Sequence, residues 1–213
     1  SAKGEFYILM HHDEFSGVED FIPKVLSYIK NEPDMDFFML DCILTEKSKS
    51  RRHVPSIIRK YIVSHYPGYL FKRNVIGPTA NLIIKNKNVV FFDDNVFWLI
   101  DVDMYYRLIN QAEKWMFIQD VKILSFIGRS DSLTGSLGDN ISKVRAQEIT
   151  FLEKKYECEK LIKLFKLPLC DKGEKLLWYT MRVVTLCLNN MCNFLGMNSL
   201  ISKKTMGALN DNK

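Results

Sequence analysis

The chain has 213 residues, 47% hydrophobic and 26% charged, enough for one sizeable core and too apolar for a disordered chain. Thirty basic against 25 acidic residues leave a net charge of +5, a mild excess that suits anionic substrates or a membrane surface and does not by itself call for nucleic acid. Five cysteines without a CxxC pair argue for free thiols in a reducing compartment and against a disulfide framework.

Residues Ser1 to Glu5 are small and polar with no apolar stretch before them, so no secretory leader is expected and the cytoplasm is the expected location. Glu5 to Met10 reads as a short buried strand that ends in the polar cluster His11-His12-Asp13-Glu14. Ser16 and Glu19 have capping-box spacing, which predicts a helix from about Val18 through Phe21, Val25, Leu26 and Ile29. Asn31-Glu32-Pro33-Asp34 stops it. Asp36 to Leu44 is mostly apolar and is expected as a strand buried on both faces. Strand, helix and strand in that order predict a right-handed βαβ unit.

Lys47 to His53 carries Lys47, Lys49, Arg51 and Arg52, either a solvated basic loop or a contact for a phosphate-bearing ligand. Ile57 to Ser64 reads as a short helix closed by Pro67-Gly68. Ala80 to Lys85 and Val89 to Phe92 read as a hairpin about Asn86-Lys87-Asn88. Asp101 to Ala112 is expected as a helix, Val121 to Ile127 as a strand, and Gly128 to Gly138 as a polar loop. From Asp139 the pattern turns helical: Ile141, Val144, Ile149, Leu152 and Tyr156 form an amphipathic stripe. Pro168 and Gly173 interrupt it, and a last apolar helix runs from about Glu174 to Phe194. Its apolar run contains Arg182 and is shorter than the roughly 20 residues that span a bilayer. With Lys160, Lys163 and Lys166 before it, that helix suits either a membrane surface or packing on its own domain or a second copy.

Three places offer chemistry. Asp13 ends the first strand, where ligands of open α/β sheets bind, and a carboxylate there suits Mg²⁺ or Mn²⁺ together with substrate phosphates. A polar strand end is the plainer reading. The histidines show no HExxH or other compact zinc spacing. Asp101 and Asp103 stand where an apolar run becomes a helix. A carboxylate at a helix N-terminus is stabilised as the anion, which makes Asp101 a helix cap or a weak base that accepts a proton late in bond formation. Asp103 is expected to pair with Arg107 at i+4. The loop holding Arg129 and Thr134 offers a cation, hydroxyls and flexible backbone to a diphosphate, or is a polar surface loop. Trp98 is a floor for a sugar ring or a core aromatic.

Three segments together resemble family 2 glycosyltransferases, the inverting GT-A-fold enzymes that build bacterial polysaccharides. Ala2-Lys3-Gly4-Glu5-Phe6-Tyr7-Ile8-Leu9-Met10-His11-His12-Asp13-Glu14 is similar to the family's strand leading into its DxD metal motif. Asp13 matches the last Asp of that motif, and His11 stands where its first Asp usually is. Val75-Ile76-Gly77-Pro78-Thr79-Ala80-Asn81 is similar to the strand below the acceptor site. Phe92-Asp93-Asp94-Asn95 through Trp98-Leu99-Ile100-Asp101-Val102-Asp103-Met104-Tyr105-Tyr106-Arg107-Leu108 resembles the segment whose first Asp is the family's proposed catalytic base. The resemblance spans roughly residues 2 to 135. The family's nucleotide-binding half, which precedes the DxD strand, has no counterpart in this sequence.

The fold expected is therefore α/β, a partial GT-A-like (Rossmann-related) sheet flanked by helices over 1–138, with a helical extension over 139–213. The resemblance implies transfer of a sugar from a nucleotide diphosphate sugar to an acceptor hydroxyl, with inversion. Asp101 would be the base, Asp13 and His11 the ligands of Mn²⁺ or Mg²⁺, and Arg129, Thr134, Trp98, Gly77 and Asp103 the substrate-binding set. The acceptor would be a saccharide or a lipid-linked one, met in the cytoplasm or at the inner membrane face, with a homodimer as a further possibility and no nucleic-acid partner. The competing class is a non-catalytic binding protein that keeps the acceptor half of the fold.

Overall fold

The computed structural model describes residues 3–46, 49–54, 56–127 and 140–158. Six strands form one mixed sheet: β1 (Phe6–Ile8), β2 (Glu14–Ser16), β3 (Phe37–Glu46), β4 (Lys49–Arg52), β5 (Leu82–Lys85) and β6 (Trp115–Phe126). Five of them lie in the order β1-β5-β3-β6-β2, and β4 pairs with β3. The helices are α1 (Phe21–Asn31), α2 (Ser56–His65), α3 (Ile100–Gln111) and α4 (Ile141–Lys155), with short 3-10 turns at Pro67–Phe71, Thr79–Asn81 and Asn86–Asn88.

β3 is the spine. Its apolar run Phe37-Phe38-Met39-Leu40 is fully buried, so both faces are covered, as the unbroken hydrophobicity predicts. It runs parallel to β6 along its length and antiparallel to β5 over Phe37–Met39. β4 takes over the second edge, pairing Ile43–Glu46 with Arg52–Lys49. Lys49 to Arg52 of the basic stretch is thus a strand paired with β3 and not a loop. β1 and β3 are each antiparallel to β5 and hence parallel to one another. The strand-helix-strand unit is present but split: β5 lies between its two strands.

α1 covers one face. Phe21 and Val25, one turn apart, pack with Phe38, Leu40, Ile83, Ile118, Val121 and Ile123. Burying Phe38 is worth about 1.5–3 kcal/mol. Ser16 lies in β2, and α1 begins at Phe21 with Asp20 in the cap position and no side-chain cap bond, so the capping box does not form. The pairing of Phe15 with Leu124 places Ser16 in the sheet. The expected 80–92 hairpin also fails. After β5 the chain turns through the 3-10 segment Asn86–Asn88 and continues without strand structure, while β5 pairs with β1 and β3.

One charge pair is built into the sheet. Asp41 and Arg59 are both 0% exposed, with Nη2 3.2 Å from Oδ1. Arg59 also donates to the carbonyls of Leu40 at 2.6 Å and Val54 at 3.2 Å, pinning α2 to the sheet where β3 and β6 shift register. A buried arginine needs this many acceptors to offset its lost hydration.

α4 belongs to the same compact unit as the sheet, which runs from Ser1 to Phe165. The apolar helix expected from Glu174 lies outside the described residues. Among the described residues no helix is long and apolar enough to cross a membrane.

Candidate active site

The site is built at the entrance to α3. Asp93 opens the turn: its Oδ1 accepts from the backbone and side-chain amides of Asn95, both at 2.9 Å. The next N–H groups, those of Phe97, Trp98 and Leu99, converge on one carboxylate, Glu148 of α4, at 2.7 to 3.0 Å. Leu99 stands in the cap position and has no capping side chain, so Glu148 caps from another helix. Asp103 N–H then closes the first turn on Leu99 O at 2.9 Å.

Asp101 is the second residue of α3 and not its cap. Its carboxylate makes no hydrogen bond or ion pair with another described residue. Burial raises its pKa above the ordinary carboxylate range, and His11 works in the opposite direction. The sequence predicts a pKa lowered by the helix N-terminus; burial moves it upward instead. The N–H groups just ahead of the helix are taken by Glu148, and desolvation prevails. A more basic carboxylate is better matched to proton acceptance.

Other charges gather there. Glu14, 7% exposed, accepts from His11 N–H at 3.0 Å. Burial raises its pKa first, the His11 contacts lower it, and the charges of Asp13 and Asp101 raise it. Glu14 thus feels the charges of both Asp13 and Asp101, with His11 beside them, the kind of charge cluster that functional sites hold. Asp13 lies half-buried, its carboxylate without a hydrogen bond or ion pair to another described residue.

Beneath the cluster, Tyr105 lies one turn after Asp101 and donates to Gly77 O at 3.0 Å. Burial first, then the charges of Asp101 and Glu14, hold the Tyr105 phenol well above its usual range, so it stays a donor. Gly77 has φ +99°, and a Cβ there would lie 2.7 Å from Asn81 Nδ2. Asn74 fixes this turn, accepting from Ile76 and Gly77 N–H and donating to Gly77 O. Cys42 is near enough that the same Cβ would lie 3.4 Å from its Sγ; burial pushes that thiol up to about 11, which makes it inert packing.

Asp103 is 0% exposed and faces protein groups only. Arg107 Nε and Nη2 donate to Oδ2 at 2.9 and 2.6 Å, the expected i to i+4 pair. Lys155 Nζ at 3.3 Å and Tyr156 Oη at 2.6 Å donate to Oδ1. Lys155 also reaches Asp93 Oδ2 at 2.5 Å. Asp93 is held below the usual carboxylate range, first by Lys155 and then by Asn95. Burial disfavours the Lys155 ammonium, but Asp93, Tyr156 and Asp103 outweigh it and raise its pKa.

Of the residues singled out in the sequence, the structure brings together His11, Asp13 and Asp101. It sets Gly77 below them as buried backbone and encloses Asp103. Trp98 is partly buried, its N–H on Glu148. Arg129 and Thr134 lie outside the described residues. Glu148 and Lys155 escaped the sequence reading, and Tyr156 was read only as part of the amphipathic stripe. A signal was there: Glu148, Leu152 and Lys155 are four and three apart and share one face, and Leu152 is buried. Two charges flanking a buried leucine need partners on the surface they cover.

Among the described residues no group of three or more His, Cys, Asp or Glu side chains is placed to hold a metal ion. No family model, curated protein or solved structure matches the chain.

Proposed function

We propose that this chain is the acceptor-side part of an inverting glycosyltransferase, with Asp101 as the base that takes the proton from the attacking hydroxyl. The observation that carries the reading is the state of Asp101: a largely buried carboxylate in the first turn of α3, with a raised pKa and no hydrogen bond to another described residue. A carboxylate with a raised pKa and no partner among the described residues is suited to accept a proton. The segment resemblance around Asp13, Gly77 and Asp101 supplies the reaction class.

Asp13 fits a divalent cation by its chemistry. Mg²⁺ and Mn²⁺ bind through one or two carboxylates and fill their remaining positions with water and phosphate oxygens, so three protein ligands are not required. Asp13, with His11 beside it, would hold the cation, which neutralises charge on a leaving diphosphate. Glu14 is committed to His11 N–H and supports the turn between them. Asp101 would align the acceptor oxygen and accept its proton as the bond to the sugar forms, with Tyr105 buried one turn further on and held to Gly77 O. A saccharide or lipid-linked acceptor would lie over α3. Turnover of nucleotide diphosphate sugars with Mn²⁺, scored as sugar-acceptor product, tests the assignment. Product that depends on Asp13 and Asp101 supports it; absence of both transfer and nucleotide-sugar hydrolysis across the common donors removes it.

A further inference from the structure

We infer that Glu148 is a positioning residue: the α4 carboxylate that gathers the N–H groups of Phe97, Trp98 and Leu99 sets the entry of α3 and thereby the place of Asp101. The inference rests on the functional reading only in its link to catalysis; the structural part stands alone.

α4 is fastened to α3 and to the turn before it at several points. Glu148 holds the three amides at 2.7 to 3.0 Å. One turn beyond Leu152, Lys155 bridges Asp93, which opens the turn into α3, and Asp103, inside α3. Tyr156 adds its hydroxyl to Asp103 and its ring to Tyr106 and Phe71, with centroids 4.5 and 5.8 Å away. Arg145 donates to Lys72 O. The clasp therefore grips residues on both sides of Asp101, while Asp101 itself has no hydrogen bond to another described residue. Three converging amides held by a full negative charge fix the backbone far better than water does, because each charge-assisted bond is about twice as strong as a neutral one. Asp101 is two residues past the last of those amides. A carboxylate displaced by about 1 Å from its acceptor loses about ten- to a hundredfold in rate.

The charge at Glu148 has a second effect by its location. It occupies the N–H groups of Phe97, Trp98 and Leu99, donors that would otherwise attract a nearby anion.

Glu148→Gln, Glu148→Asp and the exposed control Lys143→Ala separate the possibilities in the full protein. Three readouts are used: exchange of the amides of Phe97, Trp98 and Leu99, the carboxyl carbon NMR signal of Asp101, and kcat and KM for transfer. In Glu148→Gln the three amides are expected to exchange about ten- to a hundredfold faster while those of β3 and β6 keep wild-type rates. The Asp101 signal shifts, and kcat falls about tenfold or more with acceptor KM within about twofold. Glu148→Asp restores part of each, and Lys143→Ala changes none. Wild-type exchange at the three amides, an unmoved Asp101 signal, or an unchanged kcat beside faster exchange overturns the inference. A wild-type protein that transfers no sugar defeats the functional reading instead, and the exchange and Asp101 signals still decide the clasp.

Discussion

Asp103→Ala probes the joint between α3 and α4. The carboxylate is fully buried and receives four donor contacts from Arg107, Lys155 and Tyr156. Removing one partner of a buried ion pair costs about 3–5 kcal/mol, because the opposite charges keep their burial and lose their compensation. Arg107 and Lys155 side chains are 24% and 31% exposed, so water recovers part of the loss and the lower end applies, about 3 kcal/mol. For a unit of this size about 1 kcal/mol moves the melting temperature by about 2–4 °C, which gives a fall of about 6–12 °C. Thermal unfolding followed by circular dichroism measures it. A double-mutant cycle with Lys155→Met isolates the shared term, expected at about 1 kcal/mol or more, since the two residues are in contact. A fall below about 2 °C with no coupling would show that the network is surface decoration and that the packing of α4 rests elsewhere.

Gly77→Ala is expected to destabilise by about 2–4 kcal/mol, from a left-handed backbone and a Cβ pressed on Asn81; chemical denaturation checks it. Asp101 carries a pH signature. Its folded pKa is raised, so between the ordinary carboxylate range and that raised value the folded state holds more proton than the unfolded one, and stability falls as pH rises through the window. Asp101→Asn should flatten that fall and melt higher than wild type at neutral pH, seen in melting curves across pH. Asp93 has the opposite sign: its lowered pKa gives stability that is present above the ordinary carboxylate range and lost as pH falls below it. Lys155→Met should remove most of that acid dependence in the same titration of melting temperature.

The long apolar run of β3 and the amphipathic α1 were legible because their burial patterns are local: an unbroken hydrophobic stretch and a one-turn spacing. The hairpin after Lys85 was not, because Val89 to Phe92 has strand composition but β5 has both edges taken, by β1 and β3. Pairing partners are decided by topology, which a local pattern does not carry. The Ser16–Glu19 capping box failed for the same reason: β6 offered Ser16 a strand partner. In the candidate site, Asp101 and Asp13 were singled out through their segments, yet burial moves the Asp101 pKa opposite to the direction that the helix N-terminus suggests. A helix N-terminus favours the anion, and nothing local to Asp101 reveals how far the fold buries it. Asp103 was half legible: its i+4 arginine is written in the sequence, while Lys155 and Tyr156 reach it from about fifty residues away.

Asp101 is proposed to accept a proton from an acceptor hydroxyl during sugar transfer. The most direct measurement is kcat for Asp101→Asn against wild type, with nucleotide-sugar hydrolysis and donor binding recorded in parallel. The account predicts a loss of transfer of about 10²–10⁴-fold, with donor binding retained. An Asp101→Asn protein that transfers sugar at the wild-type rate would contradict it.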